Sequence, residues 1–82
     1  MQLTVRYFAG ASAAAGLEEE LVEVPDAATV EVLADVLAER HGGGLARVLK
    51  SSSFLVDEVP GSRERLLAGA RLVDVLPPFA GG

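Results

Sequence analysis

The chain has no cysteine, a single histidine (His41), and no apolar run approaching the roughly 20 residues that a membrane-spanning helix needs. Without cysteine there is no disulfide framework, no thiolate metal site and no cysteine nucleophile. With one histidine there is no His-rich metal site, and no base to build a Ser-His triad around Ser12, Ser51, Ser52, Ser53 or Ser62. Positive charge is also scarce: 7 Lys+Arg stand against 12 Asp+Glu, a net charge of −5. Nucleic-acid binding draws on a basic surface that displaces counterions, and none is visible. The same sign disfavours anionic membranes and leaves basic protein surfaces as the natural partners. No basic segment leads into an apolar stretch at the N-terminus, so no secretory signal is expected and the cytoplasm is the expected compartment.

What is present is enough for one small core. Half of the 82 residues are hydrophobic and 23% are charged, which predicts a folded domain with no room for a deep enclosed active site. Gln2–Phe8 alternates, with Leu3, Val5 and Tyr7 on one face and Gln2, Thr4, Arg6 and Phe8 on the other, as in a half-buried strand. The stretch Gly10–Gly16 reads either as a short helix capped by Ser12 and stopped by Gly16 or as a loop. Glu18–Val24 reads as a second strand with Val22 and Val24 inward. The run Glu18-Glu19-Glu20 is expected to be a solvated edge that resists aggregation.

Thr29 is the expected N-cap of the main helix, Val30–His41. Val30, Leu33, Ala34 and Leu37 fall at the i, i+3, i+4, i+7 spacing of a buried stripe, and Glu31, Asp35 and Glu39 line a solvated face. His41 in the last turn suits the negative helix end. Gly42-Gly43-Gly44 reads as a C-cap and hinge, and lacks the pattern of a phosphate loop. Leu45–Lys50 is expected to be a short helical turn with Leu45, Val48 and Leu49 inward. Phe54-Leu55-Val56 reads as the third strand, Asp57–Gly61 as a turn, and Leu66–Gly69 as a second turn. Leu72–Leu76 reads as the last strand, ended by Pro77-Pro78. The order β-β-α-β-β predicts an α+β, ubiquitin-like roll: a mixed sheet with one main helix packed across it and the first and last strands as neighbours.

No internal catalytic constellation emerges, which directs attention to the C-terminus, Pro77-Pro78-Phe79-Ala80-Gly81-Gly82. Residues 1–76 are expected to form the domain and 77–82 an extended tail reaching at most roughly 20 Å from it. Pro77-Pro78 stiffens the exit, while Ala80, Gly81 and Gly82 carry so little volume that the end can thread a narrow channel in another protein. A carboxylate is a poor electrophile; adenylation by ATP makes it an acyl donor, and a sulfur donor displacing AMP leaves a thiocarboxylate.

Three motifs resemble those of the MoaD/ThiS family of sulfur carriers, in particular its molybdopterin synthase small-subunit (MoaD) branch: Arg6-Tyr7-Phe8-Ala9, Ala28-Thr29-Val30, and Val75-Leu76-Pro77-Pro78-Phe79-Ala80-Gly81-Gly82. The resemblance spans the whole chain. It implies a β-grasp fold, adenylation and thiocarboxylation at Gly82, and a subunit that donates sulfur without being an enzyme alone. It implies an E1-like (MoeB-like) adenylyltransferase that uses ATP, with no cofactor on this chain. It further implies a MoaE-like large subunit of molybdopterin synthase, in a heterotetramer that converts cyclic pyranopterin monophosphate. By position, it maps the partner-binding apolar surface to Phe8, Leu76 and Phe79. A carrier for thiamin, cysteine or tRNA sulfur, a ubiquitin-like modifier and a pure interaction module remain alternatives. Many members carry a Val-Asn-Gly-type turn where this chain reads Phe54-Leu55-Val56-Asp57-Glu58-Val59-Pro60.

Overall fold

A computed structural model describes residues 1–78. The elements run β1 (Gln2–Tyr7), α1 (Gly10–Ala15), β2 (Glu19–Glu23), α2 (Val30–His41), α3 (Gly43–Lys50), β3 (Ser53–Val56), β4 (Val59–Gly61) and β5 (Leu72–Leu76). The strands form one sheet in the order β2-β1-β5-β3-β4. The central pair, β1 and β5, is parallel, and the other pairings are antiparallel. This is the expected ubiquitin-like β-grasp roll, with the first and last strands as neighbours. No helix among the described residues is long and apolar enough to cross a membrane.

Alternation in the strands and the helical stripe meet in a single core. Leu3, Val5, Val22, Val56, Val73 and Val75 from the sheet cluster with Val30, Leu33 and Leu37 of α2, and each is essentially inaccessible to water. Burial of each such side chain contributes about 1.5–3 kcal/mol. The Thr29 hydroxyl accepts from the Val32 amide at 3.2 Å, so the main helix begins at its expected cap. The segment after β4 straps across that helix start: Val30 and Glu31 donate their amides to the carbonyls of Arg65 and Arg63. Two of the amides that open a helix without intrahelical partners are thereby satisfied.

Four expectations need correction. Gly10–Ala15 is helical, but Ser12 does not cap it; its hydroxyl donates to the Leu17 carbonyl, and Gly16, at φ 81°, closes the helix. Gly42 caps α2 at φ 89°, yet Gly43 and Gly44 are already the first turn of α3, so the glycine run is a corner rather than a hinge. The expected turn over Asp57–Gly61 is shorter: Asp57 and Glu58 make it, at φ 48° and 68°, and Val59–Gly61 pairs with β3 as the edge strand β4. Pro60 is tolerated in β4 because an edge strand needs no donor on its free side. Finally, Glu20 is not part of a solvated edge. Its side chain is 9% exposed and accepts from the Tyr7 hydroxyl at 2.6 Å, pairs with Arg40 at 3.0 Å and hydrogen-bonds His41.

Candidate functional site

The root of the C-terminal tail is set by the central strand. β5 ends at Leu76, which is half-buried and faces Ser53 of β3. On its other side β5 runs parallel to β1, with Tyr7 opposite Val75. The Phe8 amide donates to the Val75 carbonyl at 3.3 Å and continues that ladder one step. Phe8 and Leu76 therefore stand at the same end of adjacent strands, where Pro77 and Pro78 leave the sheet. Phe8 is 40% exposed, a high value for a phenylalanine in a small domain. The structure thus brings together Phe8, Leu76, Pro77 and Pro78. The other singled-out residues, Phe79, Ala80, Gly81 and Gly82, lie outside the described residues.

Phe8 and Leu76 belong to a wider surface, the sheet face away from the helices. The registers place Thr4 and Arg6 of β1, Leu21 of β2, Leu72 and Asp74 of β5, and Leu55 of β3 on it. Leu21 is 58% exposed, and Leu55 and Leu72 are half-buried. An ion pair sits at its centre: Arg6 Nε donates to Asp74 Oδ1 at 2.6 Å and Nη2 donates to Oδ2 at 2.9 Å. The Arg6 guanidinium also lies 5.8 Å from the centre of the Phe8 ring. The hydrogen bond to Asp74 raises the Arg6 pKa above its ordinary value. This two-point clasp joins the two central strands and steadies Phe8 from below. Sequence reading placed Arg6 outward but missed Asp74, Leu55, Leu72 and Leu21. Strand alternation signalled the direction of each, while their adjacency required the register.

Among the described residues, no three His, Cys, Asp or Glu side chains gather as a metal site. An open groove of about 410 Å³ runs along Ser52–Phe54 and Pro60–Arg63, next to the tail root. Its only charged group, Arg63, is already committed to Glu31 and to the Leu49 and Lys50 carbonyls. The Tyr7–Glu20–His41 cluster lies under the helices and joins β1, β2 and α2. Burial and the Glu20 hydrogen bond push the Tyr7 hydroxyl far up. Burial raises the Glu20 carboxyl, but the hydrogen bonds of Tyr7 and His41 and the Arg40 charge outweigh it and leave it lowered. The network ties β1, β2 and α2 together.

A family model described as "ThiS family" matches residues 5–82. The chain belongs to the ThiS family. It is 34% identical, over the whole of both chains, to a protein of Chlamydomonas reinhardtii called molybdopterin synthase sulfur carrier subunit. Among solved structures it resembles SAMP1 of Haloferax volcanii, with a TM-score of 0.85 at 23% identity over all of both chains. It also resembles a chain of the complex between subunits 1 and 2 of the molybdopterin-converting factor of Helicobacter pylori, with a TM-score of 0.69 at 20% identity over all of both chains. At those identities the structural likenesses carry the β-grasp fold alone. In this ThiS-family chain the match runs from within β1 through the end of β5 and the residues beyond it.

Proposed function

We propose that the chain is the sulfur-carrier small subunit of a molybdopterin synthase. The observation that carries this is the end-to-end match to the Chlamydomonas sulfur carrier subunit, which extends through the C-terminal glycines. In this reading a MoeB-like adenylyltransferase joins the Gly82 carboxylate to AMP from ATP and releases pyrophosphate. A sulfur donor then displaces AMP and leaves a thiocarboxylate. The tail enters a MoaE-like large subunit and gives its sulfur to cyclic pyranopterin monophosphate, two carriers acting in succession within a heterotetramer. The chain itself needs no cofactor, and the acid–base groups belong to the large subunit.

The tail root supports the reading physically. Residues 77–82 span at most roughly 20 Å, so Gly82 reaches a buried centre only if the domain docks close to its mouth. Phe8, Leu76 and Leu55 supply apolar surface at that place, with Phe79 as a further anchor on the tail. Aromatic anchors of this kind carry a large share of interface energy.

The test is an intact mass after incubation with ATP, a MoeB-like enzyme and a sulfur donor. One oxygen-to-sulfur exchange is expected in the full chain and none after deletion of Gly81-Gly82. An unchanged mass in the full chain would overturn the reading. Rescue of a thiamin auxotroph but not of a molybdenum-cofactor auxotroph would move the carrier to thiamin synthesis. Covalent adducts at many masses would make it a protein modifier.

A further inference from the structure

The cationic side chains of this protein are uneven in a way that bears on an activated C-terminus. Six are arginine, and Lys50 is the only side-chain amine. Arginine stays protonated and does not attack acyl groups under ordinary conditions. The chain's other amine, at Met1, is engaged: it donates to the Val24 carbonyl at 2.7 Å and to Asp26 Oδ1 at 3.1 Å. It also lies at the far end of the sheet, because β1 runs parallel to β5 and the tail leaves from the opposite end. Lys50 differs on both counts. It is exposed, with no ion pair among the described residues, at the end of α3.

The registers fix its distance from the tail root. Lys50 precedes Ser53 by three residues, so their Cα atoms are at most about 11 Å apart. Ser53 faces Leu76 across the β3–β5 pair, a separation of about 5 Å. The Lys50 Cα thus lies within about 16 Å of the point where the tail begins, against a tail reach of roughly 20 Å plus the lysine side chain.

On the reading that Gly82 becomes an acyl adenylate, we infer that Lys50 is a self-acylation site at which the chain captures its own activated C-terminus. The Lys50 amine, as the free base, attacks the Gly82 carbonyl carbon. A C–N bond forms, the C–O bond to AMP breaks, AMP leaves and the amine gives up one proton to solvent. The product is an isopeptide loop that can no longer carry sulfur. Short tethers give effective concentrations in the millimolar range, so capture within one chain outruns capture by a second chain at micromolar protein by about a thousandfold. The nearby hydroxyls compete poorly: those of Ser51 and Ser52 are both bonded to the Val48 carbonyl, and neither of them, nor that of Ser53 opposite Leu76, is hydrogen-bonded to a base among the described residues. The activating partner must therefore hold the tail away from Lys50 until sulfur arrives, and the arginines elsewhere leave no other side-chain amine to acylate.

The experiment needs no adenylating enzyme, so its failure is distinct from failure of the carrier reading. The full chain is released from an intein as a thioester at Gly82 and incubated at several dilutions. The expected product is one water lighter than the free acid and forms at a rate independent of protein concentration. Trypsin should join residues 48–63 to 72–82 through Lys50. Cyclic product should exceed covalent dimer by roughly a hundredfold or more at micromolar protein. Lys50→Arg should lose the cyclic product entirely while keeping the wild-type circular dichroism, and Lys50→Gln should behave alike. Simple hydrolysis at the rate of Lys50→Arg, dimers as the main product, or an amide at Met1 would each overturn the proposal.

Discussion

Glu20 shows how one residue can hold three elements. From β2 it reaches Tyr7 of β1 and both Arg40 and His41 at the end of α2. Glu20→Gln keeps the shape and removes the charge. A loss of about 1–3 kcal/mol in urea denaturation is expected, the usual range for charge-assisted hydrogen bonds. Its pKa is lowered on folding from 4.5. Its contribution is therefore present above the unfolded value and lost as pH falls through the lower folded one. Stability measured below about pH 4.5 should decline more steeply in the wild type than in Glu20→Gln. Tyr7 acts in the opposite sense. Its folded pKa is raised, so its contribution is complete below about 10 and lost as pH rises beyond it. Tyr7→Phe should flatten the alkaline limb of the stability profile. None of this was legible along the chain: Glu20 stands in an acidic run whose neighbours Glu18 and Glu19 are exposed, and its three partners are between 13 and 21 residues away.

At the scale of elements, local signals worked where a cap or a period was present. Thr29, the apolar stripe and Leu72–Leu76 place α2 and β5 at their observed limits. Thr29→Ala should cost about 1 kcal/mol in thermal or urea unfolding, as loss of a cap does. Local signals failed at the β3–β4 hairpin, where a two-residue turn is made by Asp57 and Glu58 rather than by glycine. Both residues adopt positive φ, and the strain is offset around Asp57. Its Oδ1 accepts the Arg71 and Leu72 amides at 3.0 Å, and those bonds hold its carboxyl below the usual range. Glu58 has no such compensation among the described hydrogen bonds. Glu58→Gly should relieve about 1–2 kcal/mol of left-handed strain against about 0.5–1 kcal/mol of added chain entropy. A net gain of roughly 0.5 kcal/mol is expected from the urea midpoint. Gly61→Ala should do the reverse, because its Cβ would stand 2.9 Å from Val56 Cγ2. A loss of about 1–3 kcal/mol is expected for such overpacking.

For the whole molecule the decisive feature is the asymmetry of the sheet. One face is sealed by α2 and the core; the other presents Phe8, Leu21, Leu55, Leu72 and Leu76 around the Arg6–Asp74 pair. On the proposed function, Phe8→Ala with Leu55→Thr, which places no charge opposite Asp74, should keep the wild-type circular dichroism and weaken binding to a MoaE-like large subunit at least tenfold by calorimetry, since truncating one interface anchor alone can exceed about 1 kcal/mol. The sequence by itself determined the chemistry available: no thiol, one histidine, one lysine, an acidic surface, a helix and strands of clear period, and a Gly81-Gly82 end. Those are properties of composition and of local repeat, which short-range sterics and hydrophobic period express directly. Only the tertiary structure decided which of those residues meet. Strand register puts Phe8 beside Leu76, joins Arg6 to Asp74 across 68 positions of sequence, and sets Lys50 within reach of the tail root. Register follows from how all the side chains pack at once, so no local stretch of the chain contains it.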